Sequence, residues 1–390
     1  MKRLPSKRGG PLAAGRKPIL TALCLLCALF PAARGQAQTD GAAGAASRPA
    51  ATPAAAPAPG IDALANSDTD LTAPRETTTG DLLDRRTEAA IGRALQFLKQ
   101  AQDSDGGWGG DDSNRTAYTA LTMIAYMLNG HFPSEKAPYG PVMKKGLDEL
   151  LKESKGGTEG FMGTNMYSHG LATLALSELW GQTDRDDEIR DALKSAVRVI
   201  FRAQSPIGGW RYNPIPSDAD VSITAMQLVA LSAARQAGIL VPNQVIDRAI
   251  RFIHLCRDEA TGGFAYVPNG GHGGAGFPRS AAATFSLMMC GQHESPECKG
   301  GIRYLVDQPD KKFSSAGDYY YSYAQYYSAL VMSQAGDEQF KTWYPKIRDA
   351  LLASQGRTGS WTTDGPPVYC TPMAVIILSI PYSYVPAYQR

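Results

Sequence analysis

Residues 102–110 read QDSDGGWGG, and the phrase returns as QSPIGGW at 204–210 and QGRTGSW at 355–361. Three copies of Gln-x-x-x-Gly-x-Trp take up three of the five tryptophans of a 390-residue chain. Looser copies stand at GGTEGF, TGGF and DQPDKKF. Before each copy lies an amphipathic segment, and the segments end near residues 102, 154, 204, 257, 308 and 355. The period is about 50 residues, which marks a repeat architecture.

The segment IRDALKSAVRVIFRAQ shows the first half of a unit. Ile189, Leu193, Val197 and Ile200 recur at helical spacing, with Arg190, Asp191, Lys194 and Arg198 between them. Such a helix has one buried and one wet face. After each Gly-aromatic phrase comes a second kind of helix, such as ITAMQLVALSAARQAG or TPMAVIILSIP. These are apolar nearly all round, so each is buried on all sides. Six such pairs could stack openly, but an open stack wants polar terminal repeats. The last apolar helix is as apolar as the middle ones. The expected fold is therefore all-α, a closed (α/α)6 toroid with six inner helices ringed by six outer ones.

The Gln at each outer-helix end can donate its amide to unpartnered terminal carbonyls, the glycines permit the turn, and the Trp covers the helix end. The phrase reads as a structural staple.

On these Gln–Trp phrases the sequence resembles the prenyltransferase and squalene-oxidase repeat proteins, the superfamily of terpene cyclases and protein prenyltransferase β subunits. The resemblance covers residues 85–390 and implies an α/α toroid whose central cavity, in the enzymes, holds an isoprenoid.

All Gly-rich connections should share one rim, where the N-termini of the inner helices favour an anion. The rim collects Asp111, Asp112, Arg115, Tyr212 and Asp318 together with the candidates that follow. In PSDADVSITAMQ, Asp218 and Asp220 match the first two acids of the Asp-x-Asp-Asp-Thr motif whose middle acid protonates an alkene in squalene–hopene-type cyclases. Val221 replaces the third acid, and the register is shifted. The other reading of Asp220 is a helix N-cap. In YYYSYAQYY, Tyr320, Tyr323 and Tyr327 share one helical face and Tyr319, Tyr323 and Tyr326 a neighbouring one. They would either stabilise a cation or pack with their hydroxyls at the rim. Tyr323 thus joins Asp218 and Asp220 as a catalytic candidate. Tyr167, Arg211, Arg279 and Tyr320 are candidate ligand contacts, with Arg279 placed to meet a diphosphate or carboxylate. NGGHGGAG lacks the ending of a phosphate loop and reads as a long rim loop.

The zinc site of prenyltransferase β subunits does not carry over, because its ligands are absent from the matching stretches. His169 and Cys370 both start inner helices, so a different zinc site sharing Asp220 is the remaining metal candidate. No other cofactor is expected.

The formal charge of +2 sets aside a nucleic-acid surface. Six basic residues (Lys2, Arg3, Lys7, Arg8, Arg16, Lys17) precede PILTALCLLCALFPAA, the layout of a signal peptide over 1–36. The expectation is export to the periplasm or beyond, with an uncleaved membrane anchor as the alternative. Residues 37–84, rich in Ala and Pro, read as a disordered linker. Export permits disulfides, and Cys290–Cys298 is the one pairing expected.

Three functions stay open. One is a lipid- or isoprenoid-binding toroid, with an active cyclase-like or prenyltransferase-like enzyme as its alternative. The second is a scaffold for an envelope protein partner. The third is a toroid glycosidase or lyase, which needs paired carboxylates.

Overall fold

The computed structural model describes residues 82–384, apart from 272, 309–312 and 314–319. The segments read as signal peptide and linker fall outside the described residues, except at the end of the linker. There Leu82 is buried, and Asp84 caps the first helix by accepting from Thr87 N at 2.7 Å.

Among the described residues twelve α-helices alternate outer and inner, as the two kinds of segment require. They are α1 Arg85–Gln100, α2 Arg115–Leu128, α3 Gly140–Gly156, α4 Met166–Leu179, α5 Asp186–Ala203 and α6 Val221–Gln236. They continue with α7 Asn243–Leu255, α8 Phe277–Met289, α9 Pro296–Val306, α10 Tyr321–Ala335, α11 Asp337–Ser354 and α12 Pro367–Tyr384. The described residues contain no strand, only isolated bridges. Each even-numbered helix packs on the next, and α12 packs on α2, so the inner helices close a ring. This is the expected all-α (α/α)6 toroid.

The inner ring packs tightly because its residues are small. In α4 every residue from Ser168 to Leu179 is buried. A Cβ on Gly170 would strike Met226 and Gln227 of α6, and Gln227 Nε2 donates to Met166 O at 2.8 Å. Outer helix α5 instead buries one face, Ile189, Leu193, Ala196, Val197 and Ile200, and leaves Arg190 and Lys194 half in water. Among the described residues no helix is long and apolar enough to cross a membrane.

The Gln–Trp phrase has the same geometry three times. Trp108, Trp210 and Trp361 donate their indole N–H to Leu98 O, Ile200 O and Leu351 O, in the last turn of the outer helix, at 2.6, 2.7 and 2.9 Å. Their backbone N–H groups donate to the hydroxyls of Thr119, Thr224 and Thr371 at 3.1, 3.0 and 3.1 Å. The glutamine differs from expectation. Its amide does not serve its own helix end, which the Trp already occupies. Gln102 and Gln204 donate to Val142 O and Val245 O of the next outer helix, both at 2.9 Å, and to their own turns. Gly106, Gly208 and Gly359 have φ of 104°, 102° and 89°, and a Cβ there would strike the carbonyls of Lys145, Arg248 and Arg93. Only glycine fits on both counts.

Candidate functional site

The inner-helix N-termini gather at one rim, and their caps decide which side chains remain free. Asn165 accepts from Ser168 N at 3.0 Å, and Asp220 Oδ1 accepts from Ile223 N at 3.0 Å. Helix α10 cannot be capped locally, because Tyr320 sits in the left-handed region at φ 68°. Asp364, from the loop before α12, takes that role. Its Oδ2 accepts from Ser322 N at 3.0 Å, and its Oδ1 accepts from the hydroxyls of Ser322 and Thr363. Sequence reading missed Asp364, whose partner lies 42 residues away.

Inside the rim opens a cavity of about 800 Å3. Inner-helix tyrosines form much of its wall: Tyr118 of α2, Tyr167 of α4, Tyr323 of α10 and Tyr369 of α12. Tyr212, Tyr266 and Tyr320 add to it from the loops, while Leu121, Leu171 and Met373 supply apolar surface. Tyr118 and Tyr369 lie with ring centroids 6.0 Å apart, as do Tyr167 and Tyr323, the latter edge to face. Burial holds the Tyr167 and Tyr323 phenols well above their ordinary range, so both are neutral donors.

Among the described residues the lining contains one cation and one carboxylate, Arg279 and Asp364. Asp364 is committed to the α10 cap. Arg279 is in the first turn of α8, and its Nε is buried without a hydrogen-bond partner. No carboxylate among the described residues pairs with it.

Of the candidate residues, Tyr167, Tyr320, Tyr323 and Arg279 line this cavity. Tyr320 lies outside α10, 69% exposed, so it does not share a helical face with Tyr323 and Tyr327 as the spacing suggested. Arg211 stands behind the wall. Its guanidinium is 5.8 and 5.5 Å from the ring centres of Tyr212 and Tyr266, whose hydroxyls meet at 3.1 Å. It also reaches Asp218 Oδ2 at 3.3 Å and Asp220 Oδ2 at 3.5 Å. Asp218 is exposed and Asp220 fully buried. Burial raises the Asp220 pKa, against the Ile223 N–H, the Tyr266 hydroxyl and Arg211, which lower it. Asp220 does not line the cavity, although Tyr266 and Ser222 beside it do. Asp318 and Tyr319 lie outside the described residues.

The zinc arrangement is not formed. His169 Nδ1 lies 3.1 Å from Met162 N and accepts its hydrogen bond, and Nε2 lies 3.1 Å from Ala196 O and donates to it. Both ring nitrogens are therefore taken, and burial lowers the pKa to about 4. His169 occupies the position that Thr119, Thr224 and Thr371 hold in other repeats. The Cys370 thiol is turned toward Asp364 and the Gly365 carbonyl. Among the described residues no group of three His, Cys, Asp or Glu side chains could hold a metal. The Cys290–Cys298 disulfide is also absent. Both thiols are free and buried, and Cys290 is turned toward Ser232 of α6 at 3.9 Å.

No protein-family model matches the sequence, and no curated protein does. Solved structures match over most of their length. The GH76A α-1,6-mannanase from Salegentibacter sp. HEL1_6 superposes with a TM-score of 0.59 at 9% identity, over 76% of this chain and 99% of that one. The type II terpene cyclase MstE from Scytonema superposes with a TM-score of 0.51 at 14% identity, over 76% and 98%. At such identities the likeness is one of fold. It defines an α/α toroid of the kind shared by a glycoside hydrolase and a terpene cyclase, and does not single out the prenyltransferase and squalene-oxidase repeat family.

Proposed function

We propose that the protein is a binding toroid that takes one amphiphile, an isoprenoid- or lipid-like chain with an anionic head, into the rim cavity. The observation that carries this reading is the described lining itself: tyrosine faces and apolar side chains around one described guanidinium, Arg279, that no described carboxylate neutralises. Apolar surface leaving water drives the chain in, and Arg279 beside the α8 N-terminus receives the head. The basic and apolar segment before residue 36 supports delivery outside the cytoplasm.

A glycosidase is less well supported. Hydrolysis of a glycosidic bond takes two carboxyl groups across the cleft, and the described lining has one, held in a helix cap. A catalytic form of the amphiphile reading has one observation in its favour. Asp220 is buried with a raised pKa, and its Oδ2 is turned toward Arg211 Nε at 3.5 Å. Its Oδ1 nevertheless caps α6, and Tyr266 and Ser222 stand at the cavity surface where the acid does not.

Mass spectrometry after incubating the full chain with farnesyl diphosphate, geranylgeranyl diphosphate and squalene separates these readings. A bound, unchanged diphosphate supports the binding toroid. A new product mass supports catalysis, and no complex with any of the three contradicts the reading for isoprenoids.

A further inference from the structure

The inner helices that wall the rim cavity also line a second, separate space, one helical turn further along the ring axis. Leu121, Leu171, Tyr323 and Met373 line the rim cavity. Ile124, Leu174, Tyr326 and Ile376, each three residues on in the same helices, line a crevice of about 30 Å3. Val229 of α6 and Phe285 of α8 also contribute, so all six inner helices wall it.

Into this apolar crevice projects the side chain of Glu178, near the C-terminal end of α4. It is 8% exposed, and no described residue hydrogen-bonds to it or pairs with it. Burial alone raises its pKa to about 8. The Tyr326 hydroxyl is the other titratable group of the lining, and burial and Glu178 both oppose its ionisation. A carboxyl group set among apolar walls with no protein partner calls for an explanation. A leucine would suit these walls better.

The volume restricts the partner. About 30 Å3 admits one group of the size of a water molecule, not a separate organic molecule. Glu178 lies 11 residues after Tyr167 in α4, roughly 16 Å along the helix at the helical rise. A long extended chain spans that distance.

Resting on the amphiphile reading, we propose that Glu178 is the specificity residue for the far end of the ligand: the chain runs down the ring axis, and a terminal hydroxyl enters the crevice and hydrogen-bonds to the Glu178 carboxyl. The two acceptor and donor roles of a protonated acid match a hydroxyl, which also donates and accepts.

Isothermal titration of the full chain with hexadecanoic acid and 16-hydroxyhexadecanoic acid tests this. The hydroxy acid is expected to bind roughly fivefold more tightly, the worth of one net hydrogen bond. The preference should persist in Glu178→Gln, whose amide still donates and accepts, and vanish in Glu178→Leu. Equal affinity of the unmodified protein for the two acids overturns the tail assignment and leaves the amphiphile reading standing. So does a preference that survives in Glu178→Leu. Binding of neither acid overturns the amphiphile reading for acyl chains, and this inference with it.

Discussion

The side-chain amide of Gln355 donates to the carbonyl of Ala90, 265 residues earlier, at 2.9 Å. Gln102 and Gln204 make the same bond forward to the next outer helix. In the last repeat the next outer helix is the first, so one contact serves both as inter-repeat staple and as ring closure. Asn129, at the C-cap of α2, adds a second closing bond, to Ser379 of α12 at 3.0 Å.

Gln355→Ala should therefore cost about 1–2 kcal/mol in urea unfolding, since two carbonyls lose their donor. It should also speed amide exchange in α1, whereas Gln102→Ala should speed it in α3. Equal exchange in α1 for the two variants would contradict closure through Gln355.

Two caps make a contrasting pair. Asp364→Ala should cost about 1 kcal/mol, the usual worth of a cap, and loosen the first turn of α10 that carries Tyr323. Asp220→Asn keeps an acceptor for Ile223 N and should retain most of the stability that Asp220→Ala loses. If Asn and Ala are equally destabilising, Asp220 matters as a charge beside Arg211 and not as a cap.

Two buried groups give opposite pH slopes. The Glu178 pKa is about 8, against an ordinary 4.5, so the folded state keeps a proton that the unfolded state releases. Stability from this group falls as pH rises from about 4.5 through 8. The His169 pKa is about 4, against 6.5, so the unfolded state binds the proton first. That contribution falls as pH drops from 6.5 through 4. Melting temperatures of Glu178→Gln and the unmodified protein should diverge in favour of the variant between pH 5 and pH 8. A constant difference across that range would show that Glu178 is not held protonated.

Cys256, Cys290, Cys298 and Cys370 should all alkylate in denaturant without reductant, and slowly in the native protein. Burial holds the first three thiols up to about 12, so the reactive thiolate is scarce. A linked Cys290–Cys298 peptide would contradict this.

The toroid was legible because its signals are local and repeated. Gln, Gly and Trp stand at fixed short spacing, and each inner segment is apolar throughout. The helix that begins at Tyr321 was less legible, because its cap comes from Asp364 in another repeat, and no sequence spacing links the two. His169 looked like a metal candidate by residue type. Its role follows from the position it shares with Thr119, Thr224 and Thr371, which needed the hydrogen bonds to be seen. Glu178, in a run of apolar residues, had a weak signal available: a lone acid in a helix buried all round. The rim was readable as a place, from the Gly-rich connections, but the state of Arg279, which no described carboxylate pairs with, depends on which carboxylates the fold brings near.

The most direct test of the binding account is titration of farnesyl diphosphate into the full chain and into its Arg279→Gln variant, followed by native mass spectrometry and calorimetry. The account predicts a one-to-one complex whose affinity falls about tenfold or more in the variant, as loss of a charge-assisted contact implies, with unfolding in urea unchanged. An unmodified protein that binds no farnesyl diphosphate, or a variant that binds it equally well, would contradict it.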